Sequence, residues 1–308
     1  MKFLTTYGLV VVFCLATLLR PSPLESANLT SVKDTLQSSR LSVNARVDST
    51  GTTVGSSHVL IKTSARAPSN TISTANLKAG DTLKIGASAD DFYTVIDIID
   101  ADEFTVSPVL ASGDADDNDV VYLEKKPQHV VTFSTKTAVA NGFFQVLLPA
   151  DATTPNDGAP DDQGFDFNTT VDVVASDVGV YNFVTGVATA SGGTGCTAPA
   201  NYHCFEVHYS GAGSVGQAIT LTIGNTNGTN TPIAPATGPA HTEATADTYN
   251  FLVKNFAAEA NPNSASPVDA TTGKIAVIES VRVTATVAPT ISFSIAGINT
   301  ATSACGAT

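Results

Sequence analysis

Six residues near the middle of the chain have the types and the spacing of a calcium-binding loop. The stretch 114–119 (DADDND) carries oxygen side chains at alternate positions, as the start of an EF-hand loop does. The EF-hand pattern then fails, because Asp119 stands in the place of the glycine and Lys125 in the place of the bidentate glutamate. We therefore predict a calcium site outside the EF-hand class, with a solvated acidic turn as the alternative. Its candidate ligands are Asp114, Asp116, Asn118 and Asp119.

A second acidic cluster lies about forty residues further on, in a loop that contains glycine and proline. It comprises Asp157, Asp161, Asp162 and Asp166. Extracellular β proteins stiffen such loops with calcium at weak affinity, with dissociation constants on the order of 10⁻⁴ to 10⁻³ M. The same two readings apply here, a bound calcium ion or an acidic turn that keeps the protein in solution.

A glycine motif at 211–216 (GAGSVG) matches the G-x-G-x-x-G pattern of dinucleotide-binding proteins. That pattern needs a following helix, because the N-terminus of the helix faces the pyrophosphate. The residues after Gly216 (QAITLTI) alternate between polar and apolar and predict a strand instead. We interpret the glycines as a hairpin loop and expect no binding of nicotinamide, flavin or nucleotide.

No catalytic motif is present, and we predict a protein that is not an enzyme and has no catalytic residue. The five histidines contain no H-E-x-x-H motif, and His203 and His208 fall on opposite faces of a predicted strand because their spacing is odd. We expect ordinary surface histidines. Ser214 lacks the glycine two positions earlier that a nucleophile elbow requires. The histidines are His58, His129, His203, His208 and His241.

Three cysteines lie beyond the N-terminal segment, which suits an exported, disulfide-permitting compartment. Cys196 and Cys204 are eight residues apart at the start of a predicted strand, and this spacing favours a disulfide that closes a short loop. Two reduced, buried cysteines are the alternative. Cys305 would then remain as a free thiol on the C-terminal tail or as a crosslink to another subunit.

Residues 1–27 predict a signal peptide and thus an extracellular or cell-surface protein. An apolar run at 9–19 follows Lys2, and a Pro-containing break precedes Ala27, the expected cleavage site. A retained membrane anchor would need about 20 apolar residues, and this run is shorter. We expect no membrane span once the signal is removed.

The formal charge of −13 opposes contact with phosphate backbones and argues against nucleic-acid binding.

The strands that position the candidate site residues are predicted from short segments that alternate between apolar and polar residues and are bounded by Gly, Asp, Asn, Ser or Pro. Five such strands form a small β module over 48–126. The preceding segment, 28–47, is ambiguous between helix and extended chain, because its first apolar residues have helical spacing and its later ones alternate. The five predicted strands are His58–Lys62, Asp81–Gly86, Phe92–Ile99, Glu103–Val106 and Val120–Leu123.

Longer strands recur after Pro127, and eight or so of them over 127–295 predict one antiparallel, Ig-like β-sandwich. Residues 296–308 form a C-terminal tail. The predicted fold class is therefore all-β, a small N-terminal β module followed by the larger sandwich. Four loops of the sandwich are longer than usual, and loops of this length often form a binding surface or are partly mobile. They lie at 149–168, 188–203, 225–247 and 257–273.

The chain resembles the secreted Ig-like β-sandwich surface proteins encoded by uncultured, reduced-genome bacteria. The likeness rests on LTSVKDTLQSSRLS after the signal peptide, on AGDTLKIG with FYTVIDIIDADEFTVSPVL, and on the terminal IESVRVTATVAPTISFSI. FFQVLLPAD, QAITLTIGN and ADTYNFLVKNF resemble early, middle and late sandwich strands of that group. The resemblance implies an extracellular structural component. It rests on strand and turn segments and identifies no functional residue.

These observations favour a non-enzymatic surface protein that self-assembles into a lattice or filament, as an S-layer or fibre subunit does. Its expected partners are copies of itself, through strand addition at either end of the chain. The alternative is an adhesin or carbohydrate-binding module that uses the long sandwich loops to hold a cell-surface polymer or glycan. Aromatic residues make up 7% of the chain and tryptophan is absent, which weakens sugar stacking. No cofactor is expected apart from Ca²⁺.

Overall fold

The computed structural model describes residues 28–64, 71–86, 91–194, 196, 200–257 and 266–280. This part of the chain contains sixteen β-strands and no helix, which confirms the all-β prediction. The predicted signal peptide, the C-terminal tail and Cys305 lie outside the described residues. The strands are β1 Thr30–Leu36, β2 Val43–Arg46, β3 His58–Leu60, β4 Thr82–Ile85, β5 Phe92–Ile98, β6 Glu103–Ser107, β7 Val120–Leu123, β8 His129–Ser134, β9 Phe143–Pro149, β10 Val173–Ala175, β11 Asn182–Phe183, β12 Val187–Thr189, β13 Tyr202–Ser210, β14 Ala218–Ile223, β15 Asp247–Phe256 and β16 Asp269–Val277.

Two of the three sheets pack face to face as the sandwich. One has the strand order β1-β8-β14-β10, and the other has the order β11-β13-β9-β15-β16 with β12 also paired to β13. The strands within both sheets pair antiparallel. Strand β8 shows why this sequence forms such a layer, since alternate side chains, among them Val131 and Phe133, are buried against Phe144 and Val146 of the opposite sheet. The sandwich prediction is confirmed.

The third sheet, with the order β2-β7-β4-β5-β6-β3, forms the small β module. All five strands predicted for this region are present. Their alternating pattern puts side chains such as Tyr93, Val95 and Phe104 into a core that is separate from the core of the sandwich. An additional strand, β2, extends the module to Val43, before its predicted start at residue 48.

The ambiguous N-terminal segment is extended, and it belongs to both units. Strand β1 pairs with β8 in the sandwich, whereas β2 pairs with β7 in the module. A β-bulge between Thr30 and Lys33 shifts the register of β1, so that Leu29 and Val32 both reach the core although they are three residues apart. The bulge explains how two core residues of an extended segment can have the three-residue spacing that is also found in helices.

Polar contacts join the module to the sandwich along β2 and its neighbours. The side-chain amide of Asn44 donates to the Pro160 carbonyl oxygen at 2.8 Å, and the Ser42 N–H donates to the Pro235 carbonyl at 2.8 Å. Arg40, in the link between β1 and β2, contacts Asp81 of the module at 2.5 Å. Burial alone would raise the pKa of Asp81, but the guanidinium of Arg40 holds this pKa below its usual range. The ion pair therefore remains charged at neutral pH.

Candidate metal centre

Three carboxyl groups of the loop between β9 and β10 converge into one cluster, which we call the acidic centre. One oxygen of each of Asp157, Asp161 and Asp166 lies within 4.8 Å of the others. The loop is held in place by backbone pairing, because the N–H of Asp166 donates to the Ile233 carbonyl at 3.0 Å and the N–H of Ala236 donates to the Asp161 carbonyl at 2.8 Å. Oxygen ligands at this separation suit a divalent cation.

Asp166 is the most deeply placed member of the centre, with 0% of its surface exposed. Its Oδ1 accepts the Gly158 N–H at 3.2 Å, but its buried Oδ2 has no hydrogen-bond partner. Burial, followed by the charges of Asp157 and Asp161, raises the pKa of Asp166 to about 9. The carboxyl group therefore holds a proton at neutral pH unless a cation offsets the neighbouring charges.

The acidic centre lies close to the small β module. Burial raises the pKa of Tyr122 on β7; Arg46 opposes this shift, and the charges of Asp157 and Asp161 add to it. The Arg46 guanidinium lies 5.6 Å from the centre of the Tyr122 ring and donates to Asn44 Oδ1 at 2.6 Å. The centre thus faces a polar, partly buried wall of the module.

Three of the four ligands predicted in the 114–119 loop have other roles in the structure. Asp114 is buried and accepts the hydroxyl of Tyr93, with no room for a side chain at the neighbouring Gly86. Asp119 Oδ2 accepts the Asp116 N–H at 2.7 Å and closes the turn, while Asn118 adopts a left-handed conformation (φ 73°). Among the described residues, no three carboxyl groups of this loop come together as they do in the acidic centre.

The neighbouring Asp162, which the sequence grouped with the acidic cluster, points elsewhere. Its Oδ1 is buried without a hydrogen-bond partner, and its Oδ2 lies 2.1 Å from where a Cβ on Gly238 would be. Only glycine therefore fits at position 238. Burial, then the charges of Asp151 and Asp247, raises the pKa of Asp162.

Comparison with protein-family models, curated proteins and solved structures finds no match for this chain. Within the described residues, no helix has the length and apolar character needed to cross a bilayer. The function of the acidic centre must therefore be argued from its own geometry.

The glycine motif at 211–216 connects β13 to β14 and is followed by a strand, as the alternation predicted. The hairpin interpretation is wrong, because β13 and β14 belong to opposite sheets and the loop crosses between them. A Cβ at Gly211 would lie 1.8 Å from the Val180 carbonyl oxygen, and one at Gly213 would lie 2.3 Å from the Val139 carbonyl oxygen. Close backbone approach explains these glycines.

The expectation of surface histidines fails at His129 and His203, which are buried and 0% exposed, and at His241, which is half-buried with only 7% of its side chain exposed. About half of the side chain of His58 and of His208 is exposed. Nδ1 of His129 lies 2.7 Å from Oδ2 of Asp34 on β1, within hydrogen-bond distance. His203 lies on the core side of β13 and His208 on the other face, as their odd spacing predicted. The partner of each buried histidine is distant in sequence, so the sequence contains no local signal of its burial.

A cavity between the module and a sandwich loop was not foreseen from the sequence. It has a volume of about 220 Å³ and opens beside His241, whose Nδ1 lies 2.8 Å from Asp247 and whose Nε2 lies 3.4 Å from Glu279. Asn76 and Thr237 also line it. These residues come from the module, a sandwich loop and the end of β16, and only the tertiary fold brings them together.

The predicted disulfide is present. Cys196 and Cys204 are bonded, with a Cα–Cα distance of 5.9 Å. They pack against Leu147 on the outer face of β9, and the Gln145 side-chain amide lies 3.7 Å from the Cys196 sulfur. Glu206 lies near both sulfurs, but sulfurs that are bonded to each other are not thiolate ligands, so we do not assign a metal to this group.

Replacing Cys196 and Cys204 together by alanine is expected to lower the free energy of unfolding by about 2 to 3 kcal/mol, because the open loop gains conformational freedom in the unfolded chain. Urea denaturation of the mature protein measures the change. A reducing agent should lower the stability of the wild type and leave that of the double variant unaltered. Equal denaturation midpoints for the two proteins would show that the bridge does not stabilise the fold.

Proposed function

We propose that this protein is a secreted, non-enzymatic surface component that self-assembles into a filament or lattice by strand addition. The observation that supports this proposal is the nine-residue edge strand β16, which has β15 as its one strand partner among the described residues. Unpaired N–H and C=O groups on the outer edge of such a strand can pair with a strand from another chain.

The neighbouring edge is less suitable for pairing. Strand β1 lies beside β16 on the same flank of the sandwich, but it carries the bulge between Thr30 and Lys33, and bulges protect edges from pairing. A cleft of about 320 Å³ separates the two strands, and Leu36 and Ile275 are among the residues that line it. We therefore assign the docking edge to β16.

The occupant that we propose is segment 281–295 of a second copy. Its sequence (VRVTATVAPTISFSI) alternates on both sides of Pro289, which predicts a strand that lacks one backbone donor at that proline. Arg282 is the one charged residue after Ser280, although the whole chain carries 28 acidic residues. Strand addition by this segment would bring no acidic side chain onto a strongly acidic protein, so like-charge repulsion does not oppose it.

The proposal is tested with the chain 28–308 and with a chain that ends at Ser280. Light scattering after size exclusion, together with electron microscopy, should show polymers for the first and a monomer for the second. Thr284→Pro should also prevent polymer formation, because proline removes a backbone donor from the added strand. Thr302→Pro, in the tail, is the matched control and should still assemble. A wild-type chain that remains monomeric, or polymers of the truncated chain, would contradict the proposal.

The alternative function, a glycan-binding adhesin, is supported by the cavity beside His241. Its wall includes the carboxylates of Glu243 and Glu279, which can accept hydrogen bonds from sugar hydroxyls. The residues that line it include no Phe, Tyr or Trp to stack on a sugar ring. Retention of glycans by a monomeric wild type, lost in Glu279→Gln, would favour adhesion over assembly.

A further inference from the structure

We propose that Asp157, Asp161 and Asp166 bind a calcium ion that fastens the β9–β10 loop of the sandwich to the small β module. The geometric basis is the convergence of three carboxylate oxygens within 4.8 Å. This inference does not depend on the assembly proposed above, because the centre lies within one chain.

The second, independent observation is the side chain of Asp166. It is fully buried, no donor reaches its Oδ2, and one of its oxygens lies in the cluster with the carboxyl groups of Asp157 and Asp161. A buried polar atom without a partner is unfavourable unless another group satisfies it. A cation placed among the three carboxylates would satisfy Oδ2 and offset their mutual repulsion.

The chemistry of the site favours calcium over the other common divalent ions. All three side chains supply hard oxygen ligands, whereas zinc prefers nitrogen and sulfur. The ligands come from one irregular loop, and calcium accepts irregular coordination by oxygen more readily than magnesium, which requires a near-octahedral arrangement and retains its water.

The expected consequence is a firmer junction between the two units. The Asp161 carbonyl accepts the Ala236 N–H at 2.8 Å, and the adjacent Pro160 carbonyl accepts the Asn44 side-chain amide of the module at 2.8 Å. Fixing the carboxylates of this loop would therefore fix the backbone groups on which the module docks.

Calcium-dependent melting tests the proposal. At a calcium concentration about 100 times the dissociation constant, binding to the folded state should raise the melting temperature of the wild type by about 5 to 10 °C. Magnesium at the same concentration should produce little change. Asp166→Asn should abolish the calcium effect, yet melt at or above the wild-type temperature in chelator, because it removes a buried carboxyl group. Loss of packing alone would lower the melting temperature under both conditions.

Two further variants make the assignment specific. Asp157→Asn changes an exposed member of the centre, so it tests the site even if Asp166→Asn fails to fold. Asp116→Asn is the matched control, at an exposed position of the 114–119 loop, and should retain the full calcium effect. An unchanged wild-type melt, or a calcium effect that survives in Asp157→Asn and Asp166→Asn, would overturn the proposal. An effect lost only in Asp116→Asn would assign calcium to that loop instead.

Terbium binding locates the ion directly. The chain has no tryptophan, so luminescence excited through the protein must come from tyrosine, and Tyr122 is close enough to feel the charges of Asp157 and Asp161. We expect terbium luminescence that calcium displaces and that Tyr122→Phe weakens, without loss of the calcium-induced rise in melting temperature. Luminescence unaffected by Tyr122→Phe and by Asp157→Asn would place the ion elsewhere and overturn the assignment.

Discussion

Replacing Asp34 by alanine is expected to lower the free energy of unfolding by about 1 to 3 kcal/mol, because it leaves the buried Nδ1 of His129 without its hydrogen-bond partner. The two side chains are 0% exposed, and Nδ1 of His129 lies 2.7 Å from Oδ2 of Asp34. The histidine ring also packs edge-on against Phe165 at 4.9 Å, so it cannot reach water without disturbing the core. Urea denaturation at neutral pH gives the change.

The same pair predicts a recovery when both members are replaced. Asp34 Oδ1 and His129 Nε2 are buried without hydrogen-bond partners, so the pair is incompletely satisfied. A double change, Asp34→Leu with His129→Leu, should therefore regain most of the lost stability, because replacing both partners of a buried hydrogen bond by apolar groups can be nearly neutral or stabilising.

An exposed pair of the same geometry provides the control. His58 Nδ1 and Glu103 Oε1 are 2.8 Å apart, close to the 2.7 Å of the buried pair, but their side chains are 50% and 29% exposed. Glu103→Ala should change the free energy of unfolding by less than about 1 kcal/mol, since water screens such pairs. If Asp34→Ala and Glu103→Ala lowered the free energy of unfolding by similar amounts, burial would not make a histidine more dependent on its carboxylate partner.

The strands were predictable because burial of one sheet face imposes a period of two. β8 and β14 alternate with little interruption, and the residues after Gly216 (QAITLTI) were correctly predicted to form a strand. The N-terminal segment was ambiguous because one bulge changed its period, and no turn residue marks that bulge. The sheet crossing after β13 was also missed, because the glycines of a loop between sheets and those of a hairpin look alike in sequence.

The candidate site was predictable only in part, for a physical reason. Asp157, Asp161 and Asp166 lie in one loop, so their proximity was a reasonable expectation. Which acidic residues converge depends on backbone pairing with Ile233 and Ala236, about seventy residues away. The regular spacing in 114–119 suggested metal ligands more strongly than the spacing in the β9–β10 loop did. In the structure, however, Asp114 accepts a hydrogen bond from the Tyr93 hydroxyl, and Asp119 accepts one from the Asp116 N–H of its own turn.

The stability of the protein is expected to fall between pH 6.5 and pH 4 through the protonation of His203. Burial lowers the pKa of this imidazole from 6.5 to about 4. Its Nε2 lies 2.8 Å from the Phe165 carbonyl oxygen, and its Nδ1 accepts the Ser191 N–H at 3.1 Å. The neutral ring, protonated at Nε2, therefore donates to the Phe165 carbonyl and accepts from the Ser191 N–H. A second proton, on Nδ1, would point at the Ser191 N–H, which is itself a donor, and this hydrogen bond would be lost.

The sign of the effect follows from which state binds the proton first. As the pH falls below 6.5, the unfolded chain takes up a proton at this histidine while the folded chain does not, so the unfolded state gains stability. The contribution of His203 is complete at neutral pH and decreases by about 3 kcal/mol by pH 4, at about 1.4 kcal/mol for each unit of pKa shift.

Glutamine at position 203 separates this contribution from those of other groups. Its amide can donate to one neighbour and accept from the other but does not titrate, so the free energy of unfolding of His203→Gln should fall less steeply with acid than that of the wild type. Urea denaturation at intervals from pH 7 to pH 4 measures the difference. His58→Gln, at an exposed position, is the control and should follow the wild type. Parallel curves for wild type and His203→Gln would show that His203 is not the acid-sensitive group.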